Sequence, residues 1–139
     1  MRRLSSGVAL VALASALSGG RVLAHEATPA TGPGSVGQYT VIRIRKVRAD
    51  ASGEEVTARV EAAFVPLIRE MPGFVSYAVL WNTETRDWVS ISTFTDKAAA
   101  DESTERAAAF GDSSGTSEMT EGDPIVVEGM VALAAAAGA

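Results

Sequence analysis

The 139-residue sequence predicts a two-layer α+β domain of ferredoxin-like type, with the order β-α-β-β-α-β and a four-stranded antiparallel sheet. Three observations carry that prediction. Four separate runs are strand-like, two helix signals each open on a capping residue, and a polar turn joins the second and third strand runs as a hairpin would.

Tyr39 to Val47 alternates, with Ile42 and Ile44 on one face and Val41, Arg43 and Arg45 on the other, the pattern of a half-buried strand. Ser52 with Glu55 forms a capping box, after which Val56, Val60, Ala63, Phe64, Leu67, Ile68 and Met71 recur at helical spacing. Pro66 falls inside this helix; it removes a backbone donor and is expected to kink or loosen the turn around it, and Pro72-Gly73 ends it. Leu67, as part of the stripe, is expected to be core. Phe74 to Trp81 and Trp88 to Thr95 read as two strands joined through Asn82 to Asp87. Asp96 caps a second helix running through Ala98, Ala99 and Ala100 to Phe110, whose small side chains allow close approach to a sheet. Asp112 to Asp123 reads as a loop, Pro124 leads into a last strand from Ile125 to Leu133, and residues 134–139 are expected to be a disordered tail.

Ahead of this domain, which is expected to span 38–133, the composition changes twice. Arg2 and Arg3 precede an apolar run from Gly7 to Leu17, and Val22-Leu23-Ala24 offers small side chains to a signal peptidase, so residues 1–24 are expected to be a cleaved signal peptide. The run is shorter than a bilayer requires. Residues 25–37, rich in Ala, Thr, Pro and Gly, are expected to form a flexible linker. The protein is therefore expected to be exported, to the periplasm or beyond the cell, with no membrane association once the signal is removed.

The formal net charge is −5, and removing Arg2, Arg3 and Arg21 with the signal takes it to −8, which opposes nucleic acid and anionic membrane as partners. Absence of cysteine excludes disulfides, thiolate metal sites and a cysteine nucleophile. His25 is the one histidine; as a new N-terminus it would offer two nitrogens to copper, but no second imidazole joins it, so no metal site and no cofactor are expected.

With both helices on one face, the other face of the sheet is uncovered. Trp88, Phe94 and Val41 are assigned to that face, and their exposure would be costly, so two copies are expected to stack sheet to sheet as a homodimer. On this assignment Ile42 and Ile44 face the helices, while Arg43, Arg45, Trp88, Ser90, Ser92 and Phe94 line the space between the sheets and make a candidate ligand site whose anions would influence dimer stability. Arginine pairing with Glu128 is the competing reading, and alternation alone leaves open which face looks inward. On the Phe74 to Trp81 strand, Tyr77 and Trp81 fall on the alternate face from Phe74.

The run Met71-Pro72-Gly73-Phe74-Val75-Ser76-Tyr77, the strand Trp88 to Phe94 and the segment Asp96 to Glu102 resemble the antibiotic biosynthesis monooxygenase-like family of dimeric α+β barrel proteins, over about Gln38 to Leu133. The resemblance implies the fold and admits several activities, among them cofactor-free oxygenation of polycyclic aromatics and haem degradation. Haem degradation in that family uses a histidine on the second helix, an asparagine on the first strand and a tryptophan on the third; here the helix has no histidine, the strand has no asparagine, and Phe94 stands near the tryptophan's place. Two functions remain: an exported domain binding a small hydrophobic or anionic molecule, or a cofactor-independent monooxygenase acting on an aromatic substrate. No nucleophile-base pair or metal cluster is recognisable, and no catalytic residue is assigned.

The export reading makes a direct prediction. Protein recovered from its host begins at His25 or within a few residues of it by intact-mass measurement; a soluble cytoplasmic form retaining Met1 would overturn export.

Overall fold

The computed structural model describes residues 34–138; the expected signal segment, most of the linker and His25 lie outside the described residues. Four strands, β1 (Tyr39–Val47), β2 (Phe74–Asn82), β3 (Asp87–Phe94) and β4 (Thr120–Met130), form one antiparallel sheet in the order β2-β3-β1-β4. This is the predicted ferredoxin-like order, with β1 and β3 central. The helical elements all pack on one face.

The first helical segment is not a single α-helix. Ser52 Oγ accepts a 3.1 Å hydrogen bond from the Glu55 N–H and opens α1 (Gly53–Arg59), a π-helical turn spans Val60–Phe64, and α2 (Val65–Arg69) follows. Pro66 explains the wide turn: it has no N–H to donate to the carbonyl four residues back and its ring crowds that carbonyl, so the chain loosens where proline enters. The turn also moves the apolar stripe. Val56, Val60, Phe64 and Ile68 recur every four residues, a spacing that would drift around a straight α-helix but is held in line by a turn containing more residues. Ile68 is consequently buried, whereas Leu67, expected in the core, is 36% exposed, and Ala63 is exposed as well.

Asp96 caps α3 (Lys97–Ser114) by accepting from the Ala99 N–H at 2.9 Å. The helix runs past Phe110 into the expected loop and stops at Gly115, whose φ of 75° is the left-handed geometry that ends helices. A short 3-10 turn, Ser117–Met119, then leads into β4, which begins at Thr120 and not at Ile125. Pro124 is tolerated inside β4 because the strand is at the sheet edge and the pairing with β1 shifts between Ile44 and Lys46. Residues 131–138 have no regular secondary structure.

The faces are the reverse of the sequence assignment. Val41, Arg43 and Val47 lie beneath the helices, as do Trp88, Ser90, Ser92 and Phe94. Phe94 is 0% and Trp88 4% exposed within a single chain. Ile42 and Ile44 instead occupy the open face, in register with Ile91 and Val89 on one side and with Val127 and Ile125 on the other. Alternation holds along both strands; its polarity was inverted because burial of a hydrophobic residue does not require the helix side.

Parity fails on β2 for a different reason. Phe74 pairs with Phe94 but Ser76 pairs with Thr93, so Val75 is an extra residue, a β-bulge. Phe74, Tyr77 and Trp81 thereby share the helix side, although simple alternation separates the first from the other two. Trp81 lies so close over Gly53 that a Cβ there would meet the indole at 2.1 Å.

The face assignment predicts unequal losses. Ile68→Ala should cost about 2–5 kcal/mol by urea denaturation, while Leu67→Ala should cost below about 1 kcal/mol; equal losses would overturn the π-turn account.

Candidate functional site

Because β1 and β3 point alternate residues toward the helices, a cavity forms between sheet and helices of one chain. It is small, with about 50 Å³ of free volume, and is partly open to solvent. Arg43 and Arg45 line it from β1, Trp88, Ser90 and Ser92 from β3, and Tyr77 from β2. Val56, Val60 and Phe64 close it from the helical side, and Phe110 and Gly111 from α3. Five of the six residues singled out in the sequence thus share one cavity. Phe94 does not line it; it is core, edge-on to Phe74 with ring centroids 6.2 Å apart.

The aromatic walls are fixed by specific contacts. Trp88 Nε1 donates to Thr57 Oγ1 at 2.9 Å, and Thr57 in turn donates to the Gly53 carbonyl at 2.7 Å, so the indole is tied to the first turn of α1. Phe64 meets Tyr77 at 5.8 Å in an edge geometry and Phe110 at 5.2 Å. Arg86 determines where α1 sits: its guanidinium donates to the carbonyls of Val47, Arg48 and Ala51, clamping the loop that delivers the helix.

The two cavity arginines are differently held. Arg43 is 7% exposed and donates through Nη2 to Thr104 Oγ1 at 2.5 Å. Arg45 has neither a hydrogen-bond nor an ion-pair partner among the described residues. The competing pairing with Glu128 is not formed within 4 Å; Glu128 accepts from the Tyr39 hydroxyl at 3.4 Å. Burial lowers the pKa of both guanidiniums, and Arg45 lowers that of Arg43 further, yet arginine remains charged across the physiological range. Positive charge is therefore held in the cavity at a desolvation cost.

Burial raises the Tyr77 pKa to about 12, with Ser90, Arg43 and Arg45 opposing that rise only in part. At neutral pH its hydroxyl is a neutral donor. The site combines cations, hydroxyls and aromatic faces, a set suited to holding a flat anion and without a nucleophile-base pair. Among the described residues no cluster of three or more His, Asp or Glu side chains is placed to hold a metal.

Sequence reasoning missed Tyr77, Phe64 and Phe110 as cavity residues. Phe64 was visible as part of the helix stripe, and Tyr77 would have been recovered had the bulge at Val75 been recognised; neither side chain carries a motif of its own.

A family model described as antibiotic biosynthesis monooxygenase matches residues 38–110, more than half of the chain. The chain belongs to this family. Among solved structures it is similar to a monooxygenase from the ActVA-Orf6 gene of Streptomyces coelicolor in complex with nanaomycin D, at 20% identity and a TM-score of 0.61, covering 74% of this chain and 94% of that one. It is likewise similar to SnoaB, a cofactor-independent oxygenase from Streptomyces nogalater, at 15% identity and a TM-score of 0.56 over 70% and 96% of the two chains. A third match is Rv0793 from Mycobacterium tuberculosis, at 20% identity and a TM-score of 0.53 over 73% and 98%. No curated protein matches the sequence. At these identities the likeness establishes the monooxygenase-family fold, and the chemistry of this member rests on its own cavity.

Tyr77 supplies a pH prediction. Its folded pKa lies above the ordinary value of about 10, so the unfolded chain loses this proton first and the stabilisation, complete below about pH 10, is lost as pH rises to about 12. Chemical denaturation across that window should show falling stability in the parent protein and a shallower fall in Tyr77→Phe; identical profiles would contradict the burial of the hydroxyl.

Proposed function

We infer that this family member is an exported domain that binds a small, flat organic anion in the cavity between its sheet and its helices. One observation carries the reading: two guanidiniums sit among aromatic and hydroxyl groups, and among the described residues no carboxylate lies within 4 Å of either. Burying charge without a counterion is costly, and an anion entering the cavity would offset that cost while its rings stacked against Trp88, Phe64 and Phe110. Arg45, without a hydrogen-bond or ion-pair partner among the described residues, is the primary anchor; Arg43 adds field from its fixed position beside Thr104.

A second reading, oxygenation of an aromatic without a cofactor, draws on the solved structures described as monooxygenases and on the aromatic lining of the cavity. Oxygen uptake with phenolic and quinol substrates separates the two: uptake supports oxygenation, and binding without uptake supports the carrier or sensor role.

A homodimer completes the proposal, supported by residues other than those first assigned to it. Ile42, Ile44 and Ile91 form the middle of the open sheet face, with Leu80, Ile125 and Val127 around them at 57%, 64% and 57% exposure. A patch of this kind favours self-association. Since the arginines point the other way, anions should act on the cavity and leave the interface unaffected.

Binding is read from quenching of tryptophan fluorescence by naphthalene-2-carboxylate. Arg45→Gln should weaken it about ten- to a hundredfold, as loss of a charge-assisted hydrogen bond does, with little change for neutral naphthalene-2-methanol; equal affinity of the parent for both probes would refute the anion reading. In sedimentation, Ile42→Asp should convert a micromolar dimer to monomer, and a monomeric parent protein would exclude the dimer.

A further inference from the structure

A second depression lies beside the cavity, between the first helical segment and the edge strand β2. It is lined by Thr57, Glu61, Val65 and Arg69 from the helices and by the backbone and side chains of Phe74 to Val79, with about 1290 Å³ of space open to solvent. Two residues, Val60 and Tyr77, line both this groove and the arginine cavity. The two spaces adjoin at these residues.

We propose that Tyr77 is the specificity-determining residue of the site: its ring closes the arginine cavity toward the β2-edge groove and so limits the size of the bound anion. Three features put the ring in that position. The bulge at Val75 turns Tyr77 to the helix side, where it lies opposite Ser92 on β3. The edge contact with Phe64 holds the ring against the π-helical turn. The residue lines the arginine cavity together with Ser90, Arg43 and Arg45, and its hydroxyl lies in the field of the two guanidiniums.

The opposite side of the partition is Val60, the first residue of the π-helical turn. A turn that already departs from the α-helical ladder has fewer constraints on local adjustment than a regular one. Removing either side chain should therefore join the spaces. With the partition intact, a ligand must fit the smaller cavity; without it, a longer ring system extends into the groove while its anionic group stays at Arg45.

This inference rests on the anion-binding reading for its ligand, and two measurements on the full chain keep the two separable. The first uses no ligand. In a Trp81→Phe background, fluorescence reports Trp88, which lines only the arginine cavity, and acrylamide quenching measures access to it. Tyr77→Val should raise the quenching constant severalfold, and Val60→Ala should raise it in the same direction. Phe110→Ala enlarges the cavity without touching the groove and serves as the control; an increase as large there as in Tyr77→Val, or no increase in either partition variant, would overturn the partition. The second compares naphthalene-2-carboxylate with pyrene-1-carboxylate. Tyr77→Val should shift the affinity ratio toward the pyrene by about tenfold or more, the scale on which pocket size discriminates apolar ligands, while Tyr77→Phe, which keeps the ring, should leave the ratio near that of the parent. An unchanged ratio in Tyr77→Val counts against the proposal. Should neither carboxylate bind the parent protein, the anion reading fails, and the quenching comparison alone decides whether Tyr77 divides the two spaces.

Discussion

Placing Arg43 and Arg45 on the helix-facing side of β1 costs desolvation energy that the fields of Glu128 and Asp112 offset only in part, and the surrounding architecture is arranged around that cost. A guanidinium cannot shed its charge, so the protein has to leave space, hydroxyls and some access to water near it. The cavity is that space. Arg43 is accommodated by reaching Thr104 on α3, and the small residues Ala100, Ser103, Ala107 and Gly111 let that helix approach the sheet on either side of the buried arginine. Ser103, fully enclosed with its hydroxyl unpaired, shows how closely the helix lies.

Irregular backbone then sets the cavity's shape. The π-helical turn before Pro66 keeps Val60 and Phe64 aimed at the sheet while releasing Leu67 to solvent, and the bulge at Val75 brings Tyr77 round to meet Phe64. Each device spends regular hydrogen bonding to re-aim one or two side chains. Bulges and π turns are common near functional sites for this reason. Here the two lie on opposite sides of the same partition.

The two faces of the sheet have separate tasks. The helix side contains charge, hydroxyls and aromatic rings, and the open side presents Ile42, Ile44, Ile91 and their neighbours. A ligand and a second subunit would therefore address different surfaces, coupled only through the shared strands.

The sequence by itself determined the elements and their order, because strand alternation, the caps at Ser52 and Asp96, and the breakers Pro66 and Pro72-Gly73 are local signals read within a few residues; the end of α3 and the start of β4 were not among them. It also brought Arg43, Arg45, Trp88, Ser90 and Ser92 together as a set, since residues two apart on paired strands share a face whichever face that is. Only the tertiary structure decided the polarity. A period-two pattern is symmetric under exchange of faces, and with Ile42 and Ile44 on one side and Val41 and Val47 on the other, both sides of β1 are apolar enough to be buried. The same limit hid Tyr77, because a one-residue bulge reverses parity and is set by how Phe74 and Phe94 pack across the sheet, a contact between residues twenty positions apart along the chain.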